Sequence, residues 1–327
     1  MTFTKLGALA RSTAIVSTAA FADGHQDRTG WPDSFTVGTA SQGGTFFAYG
    51  SGWANLVADE LGVSGGGEVS GGPWQNLANV HTGNNAFAMT TMGPAAAAMK
   101  GENPLAPGLV MDKACAMFPM CQTPFSITTL SSSGIESISD IPAGTRIGFG
   151  PAGSTSDTYF PLIMEDLGVE FEKRNGGWSD LGGQMQDGLI DVIAFAAGVP
   201  VPAVSQLEVQ NEINITEDEQ AKVLADFPVA AFDIPAETYS TLQEPARAVS
   251  MWNFAIANCD LPESFVKAAV DTVMSDNERM VSIHRAAAST LPENWDKNEV
   301  LMWHPGAAAW FNENGGSIPP EMIYGGS

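Results

Sequence analysis

The chain has 327 residues, of which 44% are hydrophobic and 16% are charged. This composition excludes a disordered chain, and the length predicts roughly two domains with a sizeable buried core. The 14 Lys and Arg residues face 37 Asp and Glu residues, which gives a formal net charge of −23. Such an acidic chain repels phosphate backbones, and Lys173 and Arg174 are the largest basic cluster, so we expect no nucleic-acid partner.

Residues 1–22 have the features of an export signal. Lys5 and Arg11 form a positive start, a short apolar stretch follows, and Ala20 and Ala22 fit an A-x-A cleavage site. We therefore expect a periplasmic protein cleaved after Ala22, with a disordered N-terminal tail as the alternative. Cleavage would leave 12 basic residues against the same 37 acidic ones, a net charge of −25. No run of about 18 uninterrupted apolar residues follows, so no membrane-spanning helix is predicted.

The three cysteines leave the disulfide state open. In an oxidising compartment Cys115 and Cys121 could close a small loop, which would leave Cys259 unpaired. Three buried thiols are an equally supported interpretation. The four histidines have no zinc-ligand spacing with any cysteine, and we expect neither a metal nor an organic cofactor.

A faint internal duplication is the most informative feature of the sequence. Phe35–Gly38 predicts a strand that enters a glycine-rich turn at Ser41–Thr45, and an amphipathic helix follows. About 110 residues later, Arg146–Phe149 predicts a second strand, followed by a similar turn at Gly150–Thr155 and another amphipathic helix. The repeated unit indicates two lobes of similar structure.

A second pair of matching segments supports the duplication. Gly83 precedes the apolar strand Ala86–Met89, and Gly188, 105 residues later, precedes the strand Asp191–Phe195. Strand, glycine turn, helix and strand form the βαβ pattern, which implies a mainly parallel sheet flanked by helices. The sequence therefore predicts an α/β fold with two lobes.

The end of the chain predicts how the two lobes are connected. Ser250–Ala257 is an apolar strand, and Pro262 opens a helix that is followed by further helical stretches. This last part must pack on one of the lobes. We expect a discontinuous lobe I formed by residues 31–129 and 246–327, and a lobe II formed by residues 130–245.

The second glycine turn also matches a nucleotide-binding pattern. Gly148–Gly153 is a formal G-x-G-x-x-G, and Glu170 and Glu172 lie at about the distance of a ribose-binding acid. An NAD-dependent dehydrogenase is therefore the alternative function. Against it, capping of a helix is sufficient to explain Ser154–Ser156, and the turn of the first lobe does not fit the fingerprint. The sequence has no G-x-S-x-G, P-loop lysine or H-E-x-x-H motif, so we do not expect an enzyme.

Both turns place a hydroxyl at the start of a helix: Thr45 in the first lobe, and Ser154 and Thr155 in the second. Unpaired main-chain N–H groups and the helix dipole favour an anion at such a position. Ligands of open α/β sheets bind beyond the carboxyl ends of the strands, which adds Thr90, Thr91 and the segment Phe195–Gly198. The sequence predicts a small carboxylate held between the lobes, unless both turns are merely tight connections.

Five motifs occur in order along nearly the whole mature chain. They are VGTASQGGTFFAYG at Val37–Gly50, GGPWQNL at Gly71–Leu77, IGFGPAGSTS at Ile147–Ser156, AFAAGVP at Ala194–Pro200 and WHPGAAAWFNENG at Trp303–Gly315. In this combination the sequence resembles the TAXI-type solute receptors of tripartite ATP-independent periplasmic (TRAP) transporters.

The resemblance implies a type II periplasmic-binding-protein fold with a ligand cleft at the hinge between two lobes. It implies a receptor that delivers a small organic acid or amino acid, such as glutamate or 2-oxoglutarate, to TRAP membrane subunits. A ligand sensor that signals through a partner is a third possibility. The implied ligand contacts are Ser41, Gly44, Thr45, Phe46, Asn76, Thr91, Ser154, Thr155, Ser156, Phe195 and Gly198. Trp74, in the loop before Asn76, is a further candidate.

Overall fold

The computed structural model of the protein describes residues 27–207 and 210–326. The predicted export signal at residues 1–22 lies outside the described residues. Within the described residues, no helix has both the length and the apolar character that crossing a bilayer requires.

Strands and helices alternate in the first third of the chain. The elements are β1 (Ser34–Gly38), α1 (Thr45–Leu61), β2 (Ser64–Glu68), α2 (Pro73–His81), β3 (Phe87–Thr91), α3 (Met92–Ala98) and the long strand β4 (Ala114–Leu130). Helix α1 ends at Gly62, whose φ of 61° is the left-handed conformation of a helix C-cap. Helix α2 starts at Pro73, because a missing N–H and a fixed φ suit the first position of a helix.

The middle third repeats this alternation. Its elements are β5 (Thr145–Gly148), α4 (Thr155–Asp166), β6 (Phe171–Arg174), α5 (Trp178–Gln186), β7 (Val192–Ala196), α6 (Pro202–Ser205), β8 (Gln210–Glu212), α7 (Glu217–Asp226) and β9 (Ala230–Ile234). Short 3-10 turns at Ser131–Ser133 and Ile138–Asp140 precede them. Ser154 caps α4 by accepting a hydrogen bond from the N–H of Asp157.

The last third contains one long strand and then helices. The elements are β10 (Ala246–Asn258), α8 (Glu263–Met274), α9 (Asn277–Ile283) and α10 (Pro305–Glu313), with 3-10 turns at Arg285–Ser289, Pro292–Lys297 and Pro320–Met322. The predicted strand at Ser250–Ala257 and the helix after Pro262 are confirmed.

The buried apolar residues divide the molecule into two halves. One large cluster joins residues 35–121 with residues 254–318, and we call this part the first half. Two further clusters join residues between 125 and 251, and we call this part the second half. Both long strands, β4 and β10, run from one half into the other. The predicted lobe boundaries near residues 130 and 245 stay a prediction.

The predicted duplication appears in the strand pairing. In the first half β1 lies parallel between β2 and β3, and in the second half β5 lies parallel between β6 and β7. The registers correspond, because Gly38 pairs with Ala88 and Gly148 pairs with Ile193. The predicted α/β fold with two similar units is therefore confirmed.

The long strands make the complete sheet mixed. Strand β10 runs antiparallel to β3 and β4, and β4 runs antiparallel to β7. The resulting order is β2-β1-β3-β10-β4-β7-β5-β6, with β8 on β4 and β9 on β10. Each half thus has the expected parallel strands, to which the crossing segments add antiparallel ones.

The disulfide differs from both interpretations of the sequence. Cys115 is bonded to Cys259, with their Cα atoms 5.3 Å apart, and Cys121 is a buried free thiol. Cys115 and Cys121 both belong to β4, where a rise of about 3.3 Å per residue separates them by about 20 Å. A disulfide requires Cα atoms within about 7 Å. The Cys115–Cys121 loop and the three free thiols are therefore both wrong.

Candidate functional site

A small cavity of about 40 Å³ lies where the two halves meet. Among the described residues that line it, none carries a charge. The first half and β4 contribute Ala40, Gly44, Thr45, Phe46, Gly71, Gly72, Pro73, Thr91 and Thr123, and the second half contributes Pro151, Ser154, Thr155, Trp178, Ala196 and Ala197.

Four helices begin at the cavity, namely α1, α2, α4 and α5. Their first residues, Thr45, Pro73, Thr155 and Trp178, all line it. No side chain caps α1, α2 or α5, so the first main-chain N–H groups of α1 and α5, and those that follow Pro73 in α2, keep their hydrogen-bonding capacity. The helix dipoles add a partial positive charge at the same ends. The cavity therefore offers donors and a positive potential without a basic side chain.

Direct hydrogen bonds join the halves beside the first glycine turn. The hydroxyl of Thr45 donates to the main-chain carbonyl of Gly198. The N–H of Ala203 donates to the carbonyl of Gly43 at 3.0 Å. The loop that follows β7 is thus bound to the start of α1, although the two segments are far apart in sequence.

Two further contacts cross between the halves at α4. The hydroxyl of Thr155 donates to that of Thr91 at 3.3 Å, and the indole Nε1 of Trp74 donates to the hydroxyl of Thr158 at 3.0 Å. Each of these hydrogen bonds joins a side chain of the first half to a side chain of α4. They therefore exist only while the two halves lie against each other.

Trp178 fills the space between the two glycine turns. A Cβ on Gly44 would lie 2.7 Å from Cδ1 of the indole, and a Cβ on Gly150 would lie 2.4 Å from its Cζ2. Both turns therefore require glycine where the ring packs, and Gly150 also has a φ of 74°. The two turns identified in the sequence thus both pack against one buried side chain.

Half of the twelve predicted ligand contacts line this cavity, and half lie outside its lining. The lining residues are Gly44, Thr45, Phe46, Thr91, Ser154 and Thr155. The residues outside the lining are Ser41, Trp74, Asn76, Ser156, Phe195 and Gly198.

Two residues outside the lining, Asn76 and Ser156, form hydrogen bonds that connect the helices at the cavity to neighbouring strands. The amide of Asn76 donates to the carbonyls of Thr39 and Met89, both at 2.8 Å, and so ties the ends of β1 and β3 together. The hydroxyl of Ser156 accepts a hydrogen bond of 2.7 Å from the N–H of Ala196. These contacts connect each helix start to the strand beside it.

The remaining predicted residues have other surroundings. Phe195 is fully buried in the core of the second half. The hydroxyl oxygen of Ser41 is buried and has no hydrogen-bond partner within the described part of the chain. Gly198 faces the first half, where an added Cβ would lie 2.8 Å from the sulfur of Cys121.

Sequence reasoning missed Trp178 and Thr123. A signal for Trp178 was present, because Gly71 and Gly72 before Trp74 correspond to Gly176 and Gly177 before Trp178, at the same offset of 105 residues as the second repeated unit. No local pattern marked Thr123, which enters the site only because β4 passes behind it.

Three arginines of the second half lie away from the cavity. Each forms an ion pair on the surface, Arg146 with Asp191, Arg174 with Glu172 and Arg247 with Glu217, and none is among the lining residues. The hydrogen bonds from Arg146 lower the pKa of Asp191, as expected for a carboxylate beside a guanidinium.

Comparisons with known proteins agree with this architecture. The chain is similar to MatC from Rhodopseudomonas palustris with bound malate, at 17% identity over 86% of this chain and 95% of that chain, with a TM-score of 0.57. It is also similar to the periplasmic binding protein BugD, at 15% identity over 87% of this chain and 99% of that chain, with a TM-score of 0.53. These likenesses show the fold of a periplasmic binding protein. The model of the NMT1-like family matches residues 37–315, which is most of the chain, so the protein belongs to the NMT1-like family.

Proposed function

We propose that the protein is a periplasmic solute receptor that holds a small anionic or zwitterionic solute between its two halves. The observation that carries this proposal is the convergence of four helix N-termini, two from each half, on one cavity without a charged side chain. Main-chain N–H groups and helix dipoles bind carboxylates in such positions. The ligand contacts would be the lining residues, with Trp178 added to those expected from the sequence.

The binding mechanism follows from the connections between the halves. Two long strands, β4 and β10, join them, and we place the hinge there, between a lobe I of residues 31–129 and 246–327 and a lobe II of residues 130–245. Contacts from both lobes to one solute exist only in the closed form, so the solute shifts the population toward closure. The closed form would be the one that a membrane partner recognises.

The finer assignment is a TAXI-type receptor of a TRAP transporter, which passes its solute to the TRAP membrane subunits. Membership of the NMT1-like family and the five sequence motifs support it. The disulfide between Cys115 and Cys259 supports export, because such bonds persist in oxidising compartments. The malate named for the MatC relative supports an organic acid as the solute class.

Among the residues that the structure describes, no contact favours the NAD-dependent alternative. In a dinucleotide fingerprint the second glycine lets the pyrophosphate approach the backbone, and here that glycine is Gly150. The indole of Trp178 occupies the space beside Gly150, where even a Cβ would meet Cζ2 at 2.4 Å. A pyrophosphate would have to displace this buried ring.

Thermal-shift screening followed by calorimetric titration tests the proposed function. The mature chain from Asp23 is mixed with organic acids, amino acids and sugars, and with NAD as the control. We expect a small acid or amino acid to bind and to raise the melting temperature, while NAD does neither. Binding of NAD without binding of any acid would contradict the proposal.

A further inference from the structure

Most hydroxyl groups of the cavity already donate their proton to another group of the protein. A hydroxyl has one proton to donate and two lone pairs that accept. The proton of Thr45 goes to the carbonyl of Gly198, and the proton of Ser154 goes to the carbonyl of Phe149 at 3.3 Å. Both oxygens can therefore offer only lone pairs to a ligand.

A chain of hydrogen bonds through Asn253 determines which of the other hydroxyls donate and which accept. Thr155 donates to Thr91, and Thr91 donates to the amide oxygen of Asn253 at 2.9 Å. The amide nitrogen of Asn253 then donates to the hydroxyl of Thr123 at 2.5 Å. Because an amide oxygen only accepts and an amide nitrogen only donates, Thr91 and Thr155 also keep only lone pairs, and Thr123 keeps its proton.

The cavity thus has two kinds of polar surface. The uncapped starts of α1, α2 and α5 supply N–H donors, while Thr45, Thr91, Ser154 and Thr155 supply acceptors. A carboxylate fits the first surface. The second surface requires a donor on the ligand, such as a hydroxyl or an ammonium group, because two facing lone pairs repel.

A second carboxylate has no place on this lining. Away from the helix starts it would meet the hydroxyl lone pairs of Thr45, Thr91, Ser154 and Thr155, and only Thr123 among the lining hydroxyls keeps a proton to donate. None of the described lining residues carries a charge that could neutralise it. Burial of a charge without a partner is costly. The small volume, about 40 Å³, and the apolar rings of Phe46 and Trp178 further favour a compact ligand.

We infer that the solute is a small monocarboxylate that carries a hydrogen-bond donor beside its carboxylate, that is, a 2-hydroxy or 2-amino acid, and that dicarboxylates are rejected. This inference rests on the proposed function and narrows the substrate class given there. It selects against both glutamate and 2-oxoglutarate, the examples implied by the family resemblance, because each carries two carboxylates.

Calorimetric titration of the mature protein with matched probes tests the inference. Lactate and alanine carry the donor, propanoate lacks it, and malate and 2-oxoglutarate add a second carboxylate. We expect lactate or alanine to bind at least about tenfold more tightly than propanoate, because a missing donor leaves buried acceptors unpaired. The dicarboxylates should bind more weakly than the better of the two donor probes.

The outcomes separate the inference from the proposed function. Tighter binding of malate or 2-oxoglutarate, or equal binding of propanoate and its donor-bearing analogues, would overturn the inference and leave a solute receptor. Absence of binding by every probe and every compound of the wider screen would overturn both.

A variant of one acceptor gives a second readout. Thr155→Val removes an acceptor, so the preference for the best donor probe over propanoate should fall at least threefold, and Thr155→Ser should restore it. The ratio of two affinities is measured on one folded protein, so a general loss of stability does not imitate the effect. An unchanged ratio in Thr155→Val would overturn the assignment of the acceptors.

Discussion

The hydroxyl of Thr45 donates its hydrogen bond to the main-chain carbonyl of Gly198, a residue 153 positions further along the chain. This contact joins the first residue of α1 to the loop after β7, so it links the two halves beside the candidate site. In the proposed closure, part of the free energy would therefore come from contacts between the halves and not from the solute alone.

Removal of this hydroxyl should weaken solute binding. Thr45→Val leaves the carbonyl of Gly198 without its donor, and an unpaired buried acceptor costs about 1–3 kcal/mol. We expect a loss of affinity of about 5- to 150-fold in calorimetric titration, the equivalent of that free energy. Thr45→Ser keeps the hydroxyl and serves as the control. Equal affinities of the Val and Ser variants would contradict the role of this contact.

A side chain at Gly198 should hinder closure. The Cβ of Gly198→Ala would lie 2.8 Å from the sulfur of Cys121, 3.1 Å from Cγ2 of Thr45 and 3.3 Å from Cβ of Ala286, all in the first half. We expect a larger radius of gyration in small-angle X-ray scattering with saturating solute, because the halves cannot approach fully.

A matched glycine in the second half provides the control for this variant. Gly183 lies within α5, and a Cβ there would meet nothing within 4 Å. Gly183→Ala should therefore close normally and should be at least as stable as the parent, since alanine is the better helix former. If both alanine variants close like the parent, the loop after β7 does not control closure.

Loss of the disulfide should destabilise the protein without changing the site. The bond between Cys115 and Cys259 spans 144 residues of sequence and joins the start of β4 to the end of β10. Cys259→Ser should lower the free energy of unfolding by about 2–5 kcal/mol in denaturant titrations. Cys121→Ala is the control, because this thiol forms no disulfide. The Cys121→Ala variant keeps the disulfide, so the stability of the variant should still fall on addition of a reductant. A Cys259→Ser variant as stable as the oxidised parent would contradict this role.

Stability should depend on pH through one buried carboxyl group. Burial raises the pKa of Glu212 to about 7, although the hydroxyl of Thr128 donates to its Oε2 at 2.7 Å. In the unfolded chain the group titrates near 4.5. Between these two pH values the folded state holds the proton and the unfolded state does not, so the free energy of unfolding falls as the pH rises, by about 1.4 kcal/mol per pH unit at most.

The variant Glu212→Gln should abolish this contribution. Its amide oxygen can still accept the bond from Thr128, and it carries no charge at any pH. We expect the variant to gain stability relative to the parent as the pH rises from about 4.5 to about 7, measured by denaturant unfolding at each pH. A constant difference across this range would show that Glu212 does not titrate there.

The sequence was informative where structure depends on neighbouring residues. The strand and glycine turn at Phe35–Thr45, and their repeat at Arg146–Thr155, form β1, β5 and the turns before α1 and α4 as expected. The preference for hydroxyl side chains at the start of a helix also depends only on neighbouring residues. For this reason the hydroxyls at Thr45, Ser154 and Thr155 could be named before their positions in space were known.

The sequence was less informative about the walls of the cavity. Neither Trp178 nor Thr123 was among the ligand contacts expected from the sequence, yet both line the cavity. Trp74 was the tryptophan selected from the sequence, but its indole donates to Thr158 and lies outside the lining. Which of two similar tryptophans faces the cavity depends on the relative placement of the two halves.

By itself the sequence determined the repeated βαβ units, the glycine turns and the hydroxyl-bearing helix starts, because hydrophobic period, turn geometry and helix capping act over a few residues. Only the tertiary structure decided that Cys115 pairs with Cys259, that Thr45 meets Gly198 and that Trp178 lies between Gly44 and Gly150. The contacts of Cys115 with Cys259, of Thr45 with Gly198 and of Gly44 with Trp178 each join residues more than 100 positions apart. Their proximity follows from the order of the strands, which no local pattern encodes.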